Sequence, residues 1–197
     1  MLDHTEAEEP SAENRSTVRW ITVPQGTAAR SREIFAGPLS HLGGRGEWEW
    51  MWIGEPLQDG DPAGVERLEP TTDVAREVEE FLSVAHPSTD TETSDPRIFG
   101  WWAFREEGHI RAVVGAMRFA PDLAPYLVSL GVHPEHRGRG LAGAVLAAAV
   151  RDGLAEQPRV GGGVSLALYS ANERARRVYV RHGFELHHRF ESLRAPR

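Results

Sequence analysis

The run RGRGLA, Arg137 to Ala142, sets two glycines between two arginines at the start of an apolar stretch, and Gly143 follows just inside it. Glycine at such a position lets backbone N–H groups turn toward a common point. It also lets a ligand approach without meeting a β-carbon. A helix beginning here adds unpaired donors and the positive end of its dipole. The chemistry that suits this arrangement is the binding of a phosphate or pyrophosphate, with Arg137 and Arg139 available to strengthen it. A strand-to-helix turn that needs glycine for its geometry alone is the plainer alternative, although one glycine normally suffices for that.

The same letters satisfy G-x-G-x-x-G at Gly138, Gly140 and Gly143, the dinucleotide fingerprint. That fingerprint places its first glycine directly after a strand and an acidic residue at the end of the next strand. Here His133 to Arg137 intervene, and the next strand ends in Tyr169-Ser170-Ala171-Asn172, with no carboxylate. No Gly-Lys-Ser/Thr is present for a Walker-type phosphate loop.

The elements that position these residues follow from periodicity and punctuation. VRWITV (residues 18–23) reads as a strand, followed by a helix through Ile34 and Phe35 that is interrupted at Gly37-Pro38. Trp48, Trp50 and Trp52 alternate with Glu47, Glu49 and Met51, the period of a strand with one aromatic face. That face has three uses open to it: lining an acceptor pocket, making a homodimer contact, or covering the core. Trp101, Trp102 and Phe104 pose the same question. Residues 55–64 read as a loop; VERLEP suggests a short strand, and TTDVAREVEEFLSVA an amphipathic helix capped by Thr72 or Asp73. Pro87 to Pro96 is a polar loop. Ile98–Arg105 and Ile110–Phe119 form a hairpin turning at Glu106-Glu107-Gly108, and Tyr126–Val132 is a further strand. A helix from Leu141 to Leu154, a strand from Val164 to Tyr169, a helix capped by Asn172 and Gly183, and a last strand complete an α/β chain.

In this setting VHPEHRGRGLAGAVL resembles the acyl-coenzyme A signature of the GCN5-related N-acetyltransferases, the GNAT superfamily, at Arg137-x-x-Gly140-x-Ala142. Asn172-x-x-Ala175-x-x-x-Tyr179-x-x-x-Gly183-Phe184 is similar to that family's segment after its fifth strand. The resemblance covers roughly residues 65 to 193. It implies the GNAT fold, a mixed central β-sheet flanked by helices, here with an N-terminal extension. It also implies acetyl-CoA as cosubstrate, bound in an opening between two parallel strands. The pyrophosphate would lie on the backbone of Arg137, Gly138, Arg139, Gly140, Leu141 and Ala142. The pantetheine arm would pair with the main chain at Leu130 and Val132.

Acyl transfer to an amine needs donors for the charge developing on the carbonyl oxygen and an acid for the departing thiolate. The resemblance puts Tyr179 forward as that acid; a core aromatic packed with Ala175 is the other reading. Asn172 is a helix cap that can also bond the pantetheine. Gly131 fits either a bulge where another backbone comes close or a packing glycine under a helix. No base is assigned, since YLVSLGV carries no glutamate and His133, Glu135 and Asp122 read as loop residues.

Composition sets the outer limits. The chain has 197 residues, 40% of them hydrophobic, and no cysteine, which excludes acyl transfer through a protein thiol and thiolate metal sites. No metal is implied. A net charge of −7 argues against a nucleic-acid partner and suits a cationic small molecule. No stretch is long and apolar enough for a membrane span, and the acidic first residues do not resemble a signal peptide, so a cytoplasmic protein is expected. The expected organisation is a disordered acidic tail (1–14), an N-terminal extension on the sheet or acceptor side (15–64) and an acetyltransferase domain (65–197). The expected activity is acetylation of a small-molecule or peptide primary amine. A catalytically silent acyl-CoA sensor is the alternative, and a nucleotide-dependent oxidoreductase a second one.

Overall fold

A computed structural model describes residues 18–31, 33, 36–37, 39–57, 63–156 and 162–196. The acidic tail expected over 1–14 and the helical residues expected at Ile34 and Phe35 lie outside the described residues. The chain forms two compact units, one of residues up to Trp48 with Arg189–Arg197, the other Glu49–His188. Its elements are β1 (Trp20–Pro24), α1 (Thr27–Arg30), β2 (Gly44–Ile53), β3 (Val65–Leu68), α2 (Thr72–Ala85), β4 (Ile98–Glu106) and β5 (His109–Met117). There follow β6 (Tyr126–Val132), a 3-10 turn (Pro134–His136), α3 (Leu141–Ala155), β7 (Val164–Tyr169), α4 (Glu173–Arg181) and β8 (Glu185–Arg194).

In the larger unit the strands neighbour one another in the order β8-β2-β7-β6-β5-β4-β3. The run β3-β4-β5-β6 is antiparallel, whereas β6 and β7 are parallel, so the sheet is mixed. Local chemistry explains much of this. The β4–β5 hairpin turns on Glu107 (φ 54°) and Gly108 (φ 79°), a two-residue loop with both angles positive, which matches the twist of the paired strands. Helix α2 is capped by Thr71, whose side chain accepts from the Val74 N–H at 3.3 Å, one residue before the expected cap. The sequence offers Thr71, Thr72 and Asp73 in succession, and the turn after β3 decides among them.

The sheet of this unit is covered on both faces. Val78 and Leu82 of α2 pack with Trp101, Val113 and Val128, while Val145, Leu146 and Val150 of α3 pack with Trp102, Val114, Leu127 and Leu166. Trp101 and Trp102, adjacent on β4, thus anchor opposite cores and are both buried. Trp102 donates from Nε1 to Asp152 Oδ2 at 2.8 Å, satisfying the one polar atom of its ring. Gly115 on β5 makes room for Trp101: a β-carbon there would come within 2.6 Å of the indole. Gly115→Ala is therefore expected to destabilise the protein by about 1–3 kcal/mol, because a fully buried ring cannot move aside freely. A lowered urea midpoint with an unchanged slope checks this.

The inward face of β2 carries Glu49, Met51 and Ile53, all buried. Glu49 is 3.1 Å from the Arg176 guanidinium on α4, which supplies the opposite charge that a buried carboxylate requires. That pair pins α4 beside the strand. In the smaller unit β1 lies antiparallel to the end of β8, from Trp20↔Arg194 to Pro24↔Phe190. Ala28, Leu42 and Leu193 form a small core there, and Trp48 stacks on Phe190 at 4.5 Å. Among the described residues no helix is long and apolar enough to cross a membrane.

Candidate functional site

Parallel strands β6 and β7 are in register at only Tyr126↔Ser165 and Leu127↔Leu166. Beyond that point they part, and a cleft of about 940 Å³ opens, walled by Val128, Leu130, Val132, Ala167 and Leu168. On the other edge of β6 the register with β5 jumps from Gly115↔Val128 to Val113↔Gly131. Ser129 and Leu130 therefore oppose the single residue Val114, and Ser129 takes a left-handed conformation (φ 54°). The bulge lies here and not at Gly131. Gly131 is a packing glycine under α2, where a β-carbon would meet Leu82 at 3.0 Å and Ala85 at 3.2 Å. Ser129 Oγ lies 2.7 Å from Thr89 Oγ1, tying the bulge to the segment after α2.

The cradle sits at the cleft's end. Gly138 (φ 81°) and Gly140 (φ 80°) are left-handed, conformations that explain glycine at both positions, and no atom lies within 4 Å of a β-carbon built on either. Gly140 caps α3 without any side-chain acceptor, so the first N–H groups of the helix are left for a ligand. Gly138, Gly140, Leu141 and Ala142 all line the cleft.

The arginine side chains go elsewhere than expected. Arg137 lines the cleft but donates to the carbonyls of Val132 (3.2 Å) and Ala85 (3.3 Å), clamping the end of β6 to the end of α2. Arg139 makes a bidentate pair with Glu106, at 2.8 and 3.1 Å, and also donates to His136 Nδ1 at 2.7 Å. In this structure its guanidinium faces that carboxylate, a pairing near the surface with the Arg139 side chain 46% exposed.

Asn172 and Tyr179 reach the same cleft from α4. Asn172 caps the helix, its Oδ1 accepting from the Ala175 N–H at 3.1 Å. Tyr179 is 9% exposed and packs edge-to-face against Phe184 at 5.6 Å, so it is a core aromatic that also faces the cleft. Burial, helped by the nearby Tyr126 phenol, pushes the Tyr179 pKa well above the ordinary tyrosine value. Burial likewise raises Tyr126 to about 12, reinforced by the negative charge of Asp90. Both phenols are thus protonated at physiological pH.

A family model for the acetyltransferase (GNAT) family matches residues 65–184. The chain belongs to the GNAT family. The GNAT fold extends to solved structures. A GNAT-family protein from Novosphingobium aromaticivorans superposes with a TM-score of 0.63 at 22% identity, covering 77% of this chain and 65% of that one. A GCN5-related N-acetyltransferase from Sphaerobacter thermophilus gives 0.59 at 20% identity, covering 89% and 58%. A GNAT acetyltransferase from Colwellia psychrerythraea gives 0.62 at 14% identity, covering 91% and 66%. The chain thus spans less than two thirds of the length of each. No curated protein sequence matches it.

Parts of this GNAT cleft are not legible as such in the sequence. The polar stretch after α2 folds over it and contributes His86, Thr89, Asp90 and Glu92 to its lining. His86 is half-buried, with Nδ1 unpartnered, and burial lowers its pKa while Asp90 pulls the other way. Asp95 is committed to Arg97, whose hydrogen bonds hold its carboxyl down at about 2. His133, Glu135 and Asp122 do not line the cleft. The face of β2 that carries Trp50 and Trp52 is its outward face: both rings are half-buried, and Trp50 stacks on Tyr126 at 5.2 Å.

Proposed function

We propose that this GNAT protein transfers an acetyl group from acetyl-CoA directly to a primary amine. The observation that carries this reading is one cleft joining an uncapped, glycine-opened helix N-terminus to a splayed parallel strand pair with a protonated phenol beside it. The pyrophosphate would be held by the backbone of Arg137 to Ala142, and the pantetheine by the β6 edge at Leu130 and Val132 with Asn172 opposite. In the reaction the amine nitrogen bonds the acetyl carbon, the carbon–sulfur bond breaks and the nitrogen loses a proton. The departing thiolate is held by a hydrogen bond from the Tyr179 phenol and takes up the equivalent of the proton the nitrogen lost, so that coenzyme A leaves as its thiol. Because the chain has no cysteine, no protein thioester carries the acetyl group, in keeping with direct transfer.

His86 is the group to take the amine's proton. It lies in the cleft and its depressed pKa keeps it neutral near pH 7. His182, the other imidazole of the cleft, is packed where a β-carbon on Gly143 would sit, 2.5 Å from its ring. Because the His86 pKa lies below the ordinary 6.5, activity is full above that value and is lost as pH falls through the depressed one. His86→Gln is expected to lower kcat about 100-fold and to erase this acid limb of the pH profile. An unchanged limb in the variant would remove His86 from the mechanism.

The test of the whole reading is a calorimetric titration with acetyl-CoA beside one with NADH. Saturable one-site binding of acetyl-CoA, with none of NADH, is the expected result. Absence of acetyl-CoA binding would overturn it.

A further inference from the structure

We infer that the acceptor is an arylalkylamine, a primary amine carried on a flat apolar ring, seated in an aromatic pocket that adjoins the cleft. This rests on the transferase reading above. The pocket has a volume of about 530 Å³ and is walled by Trp50, Trp52, Phe119, Leu123, Tyr126 and His187. It shares Phe119 and Tyr126 with the cleft, so the two cavities meet at that wall.

The walls follow from the alternation of β2. With Glu49, Met51 and Ile53 turned inward, Trp50 and Trp52 must point outward. Trp50 lies against Tyr126, Phe119 against Tyr126 at 5.3 Å, and Trp52 against His187 at 6.0 Å. Phe119 remains 52% exposed, with the Arg97 guanidinium 5.5 Å from its ring centroid. Flat rings stack favourably on such surfaces, and the volume lies within the range of small-molecule sites.

Charge selects among amines. Among the described residues no carboxylate or guanidinium lines this pocket, so the body of a polyamine or an aminosugar would lose hydration there without a partner. A lysine side chain, a thin methylene chain, would leave most of the space unfilled. The acceptor's amino end has its own attraction, since Asp90, on the cleft side, acts on Tyr126 through its charge. An aromatic body in the pocket and an ammonium drawn toward Asp90, which lines the adjoining cleft together with His86, describe one amphipathic molecule.

The experiment measures kcat/KM for tryptamine and 2-phenylethylamine against spermidine and an Nα-blocked lysine, in the full chain and in Trp52→Ala. Arylalkylamines are expected to exceed the other two by about tenfold or more. Trp52→Ala should raise their KM about fivefold while acetyl-CoA affinity stays within about twofold. Equal or better use of spermidine or lysine, or an equal loss for every amine in the variant, would overturn the inference. His187→Ala, whose ring lies against Trp52, repeats the test should Trp52→Ala not fold. If acetyl-CoA does not bind, or no amine turns over, the transferase reading fails by itself. Tryptophan fluorescence titration with 2-phenylethylamine then decides the pocket. Saturable quenching weakened by Trp52→Ala sustains it, and no quenching overturns it.

Discussion

Gly140→Asp is expected to weaken acetyl-CoA binding about 100-fold, roughly 2.8 kcal/mol. Two effects combine. A side chain at φ 80° is strained, by roughly 1–2 kcal/mol for an ordinary residue and less for Asp. The larger effect is the carboxylate itself, set at the start of α3 where no side chain caps the helix, so that it would occupy the donors proposed for the pyrophosphate and repel its charge. Steric blockage contributes little, since no atom lies within 4 Å of a β-carbon at this position. Gly140→Asn separates the terms, because Asn tolerates the same backbone conformation without the charge. Calorimetry should show Asn within about fivefold of the native protein and Asp far weaker. Equal losses in the two variants would mean that backbone strain, not an anion cradle, makes this glycine necessary.

Tyr179→Phe is expected to lower kcat about 100-fold, the usual cost of one well-placed donor to a developing anion, while leaving acetyl-CoA affinity within about threefold. The phenol is buried and its pKa is pushed far above the ordinary range, whereas a thiol titrates near 8.5. An acid so weak stabilises the departing thiolate chiefly by donating a hydrogen bond. The ring stays packed on Phe184 in the variant, so the fold is preserved. Rapid-quench single turnovers beside an acetyl-CoA titration check this, and a loss of binding matching that of Gly140→Asp would reassign Tyr179 to cofactor binding.

These two positions were legible in the sequence for different reasons. The cradle is a local property: left-handed glycines and a helix N-terminus need only their own neighbours, and RGRGLA carries both. The Glu107-Gly108 turn, the Asn172 cap and the Tyr126–Val132 strand are local in the same sense. Tyr179 was legible through its place in a family pattern, since spacing alone reads equally well as core packing.

Tertiary structure decided the rest. A long guanidinium goes to whichever acceptor the fold brings near. Arg139 finds Glu106, 33 residues away, and Arg137 finds the carbonyl of Ala85. Gly131 and Ser129 divide between them two roles that sequence reading offered to Gly131 alone, because only the approach of Leu82 and Ala85 shows which residue is crowded. Period-2 alternation showed that β2 has two unlike faces but not which of them turns inward. The face bearing Met51 and Ile53 joins the main core, Glu49 on it is matched by Arg176 on α4, and this leaves Trp50 and Trp52 outward. His86 and Asp90 read as parts of a polar loop until the fold carries that loop over the cleft. The sequence by itself thus determined the features whose energetics close within a few residues. Those whose partners lie across the sheet, the proposed proton acceptor and the proposed acceptor pocket among them, depended on contacts that only the folded chain creates.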